Sequence, residues 1–256
     1  MSVFVIAECG VNHNGSLGKA RELIDAAKAS FADAVKLQFF SAKKLNRPEI
    51  AHLELGQSEI TALAWHAKEA GIEFMCTPFG IEEAAFLRPL VKRMKIASGC
   101  IHWFDLLRSV RDMPIILSTG MSTPKDIDAA LKVLDDELTL SDVTLLHCTS
   151  AYPCPLPAVN LRAMDTLANL YHCPVGYSDH TQGITTAIAA AARDAAVIEK
   201  HLTLDRNAAG PDHSSSIEPN DFRTMVTAIR AVETVLGDGV KAPHECEFPV
   251  RKIWRD

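Results

Sequence analysis

The chain alternates short apolar runs with segments of helical period from one end to the other. The apolar runs have the length and composition of buried strands. They span residues 3–9, 34–40, 73–78, 94–98, 114–119, 143–149, 174–178 and 195–202. Strands that alternate with helices pair in parallel through right-handed crossovers. Eight such units in 256 residues predict an α/β fold, a single-domain (β/α)₈ TIM barrel over residues 1–256.

The segments between the runs supply the helices of this barrel. They span residues 17–30, 59–70, 82–90, 124–134, 161–170, 184–193 and 219–236. Thr123 before Pro124 is typical of a helix start, and Gly237 is typical of a helix end. A doubly wound open sheet is the alternative, but the first run ends at Glu8 without a Gly-x-Gly-x-x-Gly turn after it. Residues 41–57 form the longest predicted loop, which we expect to cover the barrel mouth.

Composition excludes several classes of function. The net charge is −6 and no basic stripe is present, which argues against a nucleic-acid partner. The first apolar run lacks a basic start and is too short for a signal peptide or a membrane span, so we expect a cytoplasmic protein with no membrane partner. The seven cysteines form no Cys-x-x-Cys pair, which favours buried, reduced thiols.

Polar residues gather at the carboxyl ends of the predicted strands, where barrel enzymes carry their chemistry. Lys36 and Gln38 lie two positions apart and share one face of their strand. The others follow different strands: Glu8, Thr77, Lys95, Ser98, Ser118, Ser150 and Ser178. Each one alone has a structural explanation, such as a lysine that reaches to water or a hydroxyl that caps a helix. Buried charges are costly unless they are paired or bound, so the cluster as a whole predicts a phosphate or carboxylate ligand.

Two histidines, His180 and His201, end the last two runs. Each shares a strand face with the polar residue two positions earlier, Ser178 or Glu199. A lone strand histidine is more often a hydrogen-bonded core residue than a ligand. In a closed barrel, however, the seventh and eighth strands are neighbours, so the pair would suit Mn²⁺, Zn²⁺ or Fe²⁺ better than Mg²⁺. Asp212 follows in the next loop, either as a turn former or as a candidate general base.

Taken in order, these motifs resemble the N-acetylneuraminate (sialic acid) synthase family. The matching strings cover nearly the whole chain and are Ile6-Ala7-Glu8-Cys9-Gly10-Val11-Asn12-His13-Asn14-Gly15, Ala34-Val35-Lys36-Leu37-Gln38, Cys76-Thr77-Pro78-Phe79, Lys95-Ile96-Ala97-Ser98-Gly99, Leu117-Ser118-Thr119-Gly120-Met121, His147-Cys148-Thr149-Ser150-Ala151-Tyr152-Pro153, Val159-Asn160-Leu161-Arg162, Ser178-Asp179-His180-Thr181, Ile198-Glu199-Lys200-His201 and Gly210-Pro211-Asp212-His213. So many ordered strings are specific for the family, and much less so for the substrate of any one member.

The resemblance implies a TIM-barrel transferase that forms a C–C bond between phosphoenolpyruvate and the open-chain aldehyde of a sugar. It implies a divalent metal, commonly Mn²⁺, on His180 and His201. The residues implied for phosphoenolpyruvate are Lys36, Thr77, Lys95, Ser98, Ser150 and Ser178. Those implied for the sugar or the attacking water are Glu8, Gln38, Tyr152 and Asp212. Glu8 and Asp212 are the candidates to take the proton of that water.

Three departures from the family pattern concern the sugar half of the site. The family usually continues into a small C-terminal domain resembling type III antifreeze protein, which gives the partner subunit an arginine; we expect no such domain in residues 1–256, so a homodimer rests on analogy alone. The glutamate that usually follows Lys-Ile-Ala-Ser-Gly is Cys100 here. The stretch after the second strand is also shorter than usual, and the segment before the first strand is missing. We therefore expect an acceptor aldose other than N-acetylmannosamine.

Two other functions fit the same residues. A metal-dependent aldolase or lyase would use the barrel and the histidine pair without releasing phosphate. A degenerate barrel would bind a sugar or depend on a partner without catalysis. The retained histidines and lysines argue against degeneracy, because an inactive site has no need of costly buried charges.

Overall fold

The computed structural model describes residues 2–134 and 142–255 and confirms the TIM barrel. The eight parallel strands are β1 (Phe4–Gly10), β2 (Ala34–Phe39), β3 (Glu73–Pro78), β4 (Met94–Ile96), β5 (Ile115–Ser118), β6 (Val143–His147), β7 (Val175–Asp179) and β8 (Val197–His201). They follow one another as β3-β2-β1-β8-β7-β6-β5-β4, and β3 lies beside β4, which nearly closes the barrel. Each observed strand falls within a residue or two of a predicted run.

Helices follow the strands along the chain, and most of them pack around the barrel. They are α1 (Leu17–Ala29), α2 (Gln57–Ala70), α3 (Ile81–Leu87), α4 (Phe104–Val110), α5 (Pro124–Leu134), α6 (Arg162–Tyr171), α7 (Thr185–Ala191), α8 (Pro219–Leu236) and α9 (Phe248–Arg255). The α4 and α9 helices lie outside the predicted segments. As predicted, α8 ends at Gly237, which has φ +64°.

The alternation of side chains along each strand separates two hydrophobic layers. One layer fills the lower barrel interior with Ile6, Ala34, Met75, Ile116, Leu146 and Val197. The larger layer lies outside the sheet, where strand residues such as Val5, Val35 and Ile198 pack against the helices. Residues two positions further along the inward faces therefore form the floor of the upper barrel, and these are polar.

The loop over residues 41–57 is packed at the barrel mouth, as expected. It contains a 3₁₀ turn at Pro48–Leu53. Leu53 is buried in a small apolar cluster with Ala42, with Val11 after β1 and with Phe40 after β2. The loop is thus held against the ends of the first two strands.

Two further observations bear on the composition. No helix within residues 2–134 or 142–255 combines the length and the apolar character that a membrane span needs. All seven cysteines are free, and six of them are buried, with Cys246 as the exposed one.

Candidate active site

The upper barrel encloses a cavity of about 260 Å³ at the carboxyl ends of the strands. All of the residues predicted for the site line this one cavity: Glu8, Lys36, Gln38, Thr77, Lys95, Ser98, Ser150, Tyr152, Ser178, His180, His201 and Asp212. They come together because the inward faces of parallel strands converge at one end of the barrel. Their individual roles stay predictions.

Two buried lysines and two buried glutamates form one ion-pair network across the cavity floor. Lys36 on β2 pairs with Glu8 on β1, and its Nζ lies 3.5 Å from Oε2 of Glu199 on β8. Lys95 Nζ on β4 lies 3.8 Å from Oε1 of the same Glu199. All four side chains are at most 5% exposed. Without a ligand, both lysines therefore have carboxylate partners supplied by the protein.

Hydroxyl groups form hydrogen bonds with these charged side chains. Lys36 Nζ donates a hydrogen bond to Thr77 Oγ1 over 3.1 Å, and Lys95 Nζ donates one to Ser118 Oγ over 2.7 Å. Ser178 Oγ donates to Glu199 Oε1 over 2.9 Å. The lysine ammonium groups are thus held in fixed positions, which is what binding of a small dianion requires.

The two glutamates of the network differ in protonation. Burial raises the pKa of Glu8 from 4.5 to about 7; the charge of Lys36 opposes this rise and that of Glu199 adds to it. Burial also disfavours the charge on Glu199, but Lys36 and Lys95 outweigh it and lower the pKa of Glu199 from 4.5 to about 2. Glu199 therefore keeps the negative charge, and Glu8 exchanges a proton near neutral pH, as a general acid–base group should.

The histidine pair lies beside this network. The ring centroids of His180 and His201 are 5.7 Å apart, and the ring of Tyr152 lies 4.2 Å from His180 and 5.8 Å from His201. Burial lowers the pKa of both histidines; for His201 the charges of His180 and Lys36 lower it further. Both imidazoles are therefore neutral at neutral pH, the form that binds metals.

The two histidines supply some of the ligand atoms that a divalent transition metal needs. His180 Nδ1 donates to the carbonyl of Thr149 over 2.8 Å, so Nε2 keeps its lone pair. His201 Nδ1 is buried without a hydrogen-bond partner, 3.9 Å from Asp212 Oδ2. No set of three or more His, Cys, Asp or Glu side chains in residues 2–134 and 142–255 forms a metal-binding group. The two histidines are thus the candidate protein ligands, and substrate or water would fill the other positions.

Small side chains form the wall opposite the histidines. The backbone N–H of Gly120 donates to Ser98 Oγ over 3.0 Å. A Cβ on Gly120 would lie only 2.4 Å from Ser150 Oγ and 2.8 Å from Ser98 Oγ. Any side chain at this position would therefore enter the space between the two hydroxyls. Glycine keeps this part of the cavity open.

Polar side chains at the mouth face the direction from which a second substrate would enter. Gln38 Nε2 lies 3.5 Å from Glu8 Oε1. Burial raises the pKa of Asp212, against the effect of a hydrogen bond from the backbone N–H of Val11. Asp212 is thus a second carboxyl group that can hold or release a proton, 3.9 Å from His201.

Seven further residues line the cavity and had no predicted role: Phe79, Ala97, Gly99, Ser118, Met121, Cys148 and Glu199. The sequence analysis placed Glu199 on the same strand face as His201, but gave it no role in the site. Its place between two lysines depends on distances across the barrel, which the sequence does not contain. Cys100, where the family pattern has a glutamate, does not line the cavity and packs in the outer hydrophobic layer.

A second buried ion pair lies on the opposite face of the same two strands. Lys200 Nζ is 2.9 Å from Asp179 Oδ2, and both side chains are fully buried. Lys200 also donates to the carbonyl of Thr181, whose N–H donates to Asp179. Because these residues alternate with His180 and His201, their side chains point away from the cavity. They hold β7 to β8 and do not belong to the site.

Comparison with known proteins shows which family the sequence of this chain matches. The sequence model of the NeuB family matches residues 49–241. N,N'-diacetyllegionaminic acid synthase of Legionella pneumophila is 43% identical over 281 aligned positions, which cover 100% of this chain and 79% of the relative. Human N-acetylneuraminate-9-phosphate synthase is 36% identical, covering 96% of this chain and 74% of the relative.

A solved structure agrees with these sequence matches. The N-acetylneuraminic acid synthetase of Leptospira borgpetersenii superposes with a TM-score of 0.90 at 34% identity, over 100% of this chain and 93% of the other. The resemblance read from the motifs is thus confirmed at the level of sequence and of fold. The protein belongs to the NeuB family.

Proposed function

We propose that this protein is a phosphoenolpyruvate-dependent transferase. It joins phosphoenolpyruvate to the open-chain form of an aldose and gives a 2-keto-3-deoxy sugar acid and inorganic phosphate. One observation carries the proposal: Lys36 and Lys95 lie buried in one cavity with a row of hydroxyls and a neutral histidine pair. The names of the relatives, which are synthases of sugar acids, support it.

The charges of the site match those of phosphoenolpyruvate. Its carboxylate and phosphate are two anionic groups that need two cationic partners, and Lys36 and Lys95 supply them. Binding displaces the protein's own carboxylates from the lysines. With a pKa of about 7, Glu8 has both of its forms available at neutral pH, and the ionised form can take a proton from water. Thr77, Ser98, Ser150 and Ser178 would orient the phosphate and carboxylate oxygens.

The reaction forms one C–C bond and breaks one C–O bond. Carbon 3 of phosphoenolpyruvate attacks the aldehyde carbon, and the aldehyde oxygen takes up a proton. Positive charge develops at carbon 2, and water adds there while Glu8 or Asp212 takes its proton. The carbon-2 hydroxyl group of the tetrahedral intermediate then gives its proton to the departing phosphate, which leaves with the bridging oxygen, and a 2-keto acid remains. Gln38 and Tyr152 would contact the sugar chain.

The histidine pair is the proposed site of the metal. Mn²⁺ held by His180 and His201 would act as a Lewis acid on the aldehyde oxygen. The hydrogen bond from His180 Nδ1 to Thr149 fixes the ring so that Nε2, 3.3 Å from Ser178 Oγ, keeps its lone pair. The ring of Tyr152 lies against that of His180, with the ring centroids 4.2 Å apart.

The proposed acceptor differs from N-acetylmannosamine. The family pattern has a glutamate toward the sugar where this chain has Cys100, and that thiol packs in the outer hydrophobic layer. A thiol is a weak hydrogen-bond acceptor, so a contact to a sugar hydroxyl is lost. Efficient turnover of N-acetylmannosamine by the purified chain would contradict this part of the proposal.

The direct test is a phosphate-release assay with phosphoenolpyruvate, Mn²⁺ and a panel of aldoses. We expect release that depends on an aldose and falls in Glu8→Gln and Asp212→Asn, with folding checked by circular dichroism. Normal turnover in both variants would refute their role as bases. An aldolase or lyase would act without releasing phosphate. A degenerate barrel would bind a sugar and release no phosphate with any aldose.

A further inference from the structure

The motif Asn12-His13-Asn14-Gly15, which follows β1, has no part in the proposed mechanism, although its first residue is buried next to the site. Asn12 Nδ2 donates two hydrogen bonds of 2.9 Å, one to the carbonyl of Leu202 and one to Ser216 Oγ. Both acceptors belong to residues 202–218, the loop between β8 and α8, which we call the β8–α8 loop. Because a carbonyl can only accept, the amide must present its N–H groups to this loop. One buried side chain thus ties the end of β1 to the β8–α8 loop.

The hydrogen bond from Asn12 continues to Asp212, the residue of this loop that lines the cavity. Ser216 Oγ accepts from Asn12 and donates its own proton to the main-chain carbonyl of Asp212 over 2.6 Å. Ser215 Oγ donates to the same carbonyl over 3.0 Å, but it lies in the 3₁₀ turn His213–Ser215 that directly follows Asp212. That bond is internal to the loop, whereas the bond through Ser216 connects Asp212 to a different element of the fold.

The carboxyl group of Asp212 contacts the two residues that precede Asn12. The backbone N–H of Val11 donates a hydrogen bond to it. Gly10 lies against it, since a Cβ on Gly10 would come within 2.9 Å of Asp212 Oδ2. Consecutive residues after β1 therefore hold both the carboxyl group and the main chain of Asp212. A shift of this main chain would move the carboxyl group relative to His201, whose Nδ1 is 3.9 Å away.

We propose that Asn12 is a positioning residue for the reaction. Through Ser216 it fixes the main chain of Asp212. The carboxyl group is thereby kept at Val11 and beside His201. This inference rests on the proposed function, in which Asp212 faces the sugar or takes the proton of the attacking water. Asn12 does not line the cavity, so it acts only through Asp212. A displacement of about 1 Å at a reacting group can cost roughly 100-fold in rate, so a single hydrogen bond is enough to matter.

The test is a double-mutant cycle, with phosphate release from phosphoenolpyruvate, Mn²⁺ and an accepted aldose as the assay. Asn12→Ala and Ser216→Ala should each lower kcat by at least about tenfold. The KM for phosphoenolpyruvate should stay within about twofold, because neither residue lines the cavity. In the Asp212→Asn background no carboxylate is left to position, so the same substitutions should lower kcat by less than about twofold. A loss of correctly folded protein would instead lower kcat by the same factor in both backgrounds.

Ser30→Ala is the matched control for Ser216→Ala. Ser30 is also buried, and its Oγ also donates to a main-chain carbonyl, that of Pro219, over 3.0 Å. It does not line the cavity, so its loss should leave kcat unchanged. Ser216→Ala removes one oxygen atom and therefore serves as the test if Asn12→Ala fails to fold.

The outcomes separate the two proposals. Equal losses of kcat in both backgrounds, or a wild-type kcat in both Asn12→Ala and Ser216→Ala, would overturn the inference and leave the proposed function standing. A wild-type kcat in Asp212→Asn would also overturn it, because Asn12 would then have no reacting group to position. No phosphate release by the wild-type protein with any aldose would instead refute the proposed function, and the inference with it.

Discussion

Replacing Glu8 by glutamine should remove a pH-dependent loss of stability from the protein. The Glu8 carboxyl has a pKa of about 7 in the fold, against 4.5 as its ordinary value. Below pH 4.5 it is protonated in both the folded and the unfolded state. As the pH rises toward 7, the unfolded chain loses this proton and the folded protein keeps it, so stability falls. Above 7 the full cost is reached, roughly 3 kcal/mol.

The measurement is urea unfolding of both proteins at pH 5.0 and pH 8.5 without substrate. Glutamine is a neutral mimic of the protonated acid. From pH 5.0 to pH 8.5, the free energy of unfolding of Glu8→Gln should therefore rise by about 2 to 3 kcal/mol relative to that of the wild type. Groups that do not interact with Glu8 titrate alike in both proteins and cancel in the difference. Glu69→Gln, at an exposed position of α2, is the control and should show no such change. A difference between Glu8→Gln and the wild type that is equal at both pH values would refute the reasoning, because Glu8 would then be ionised throughout.

Three further predictions test other parts of the structure. Asp179→Asn should destabilise the protein by about 3 to 5 kcal/mol in urea unfolding, because it leaves Lys200 buried without its ion-pair partner; a change below 1 kcal/mol would contradict this. Gly120→Ala should keep the fold but raise the KM for phosphoenolpyruvate on the order of 100-fold, because the new methyl group enters the space beside Ser150. A KM within twofold of the wild type would show that phosphoenolpyruvate binds elsewhere. His180→Gln should weaken Mn²⁺ binding, as measured by electron paramagnetic resonance. Loss of a residue that only supports a metal ligand costs roughly 10- to 100-fold in affinity, and loss of a ligand should cost more. Unchanged binding would place the metal elsewhere.

Simple periodicity predicted much of this fold and site. Inward residues of a barrel strand recur at every second position. Lys36 and Gln38 therefore share one face of β2, and Glu199 and His201 share one face of β8. The convergence of parallel strands at one end then brings them into one cavity. The same alternation explains why Lys200, one position from His201, is buried on the outer side of the barrel in an ion pair of its own.

What the sequence could not provide depends on distances across the barrel and on loop packing. The position of Glu199 between Lys36 and Lys95 follows from the register of β8 against strands far from it in sequence. The burial of Leu53 in one apolar cluster with Phe40 also depends on the packing of a loop that has no periodic pattern.

The most direct test of the central claim follows the bridging oxygen of phosphoenolpyruvate. Phosphoenolpyruvate labelled with ¹⁸O between carbon 2 and phosphorus is incubated with the protein, Mn²⁺ and an accepted aldose. C–O cleavage after addition to the aldehyde predicts that the released phosphate carries the label and that its amount equals that of the 2-keto acid formed. Unlabelled phosphate, or labelled phosphate released equally without any aldose, would contradict the account.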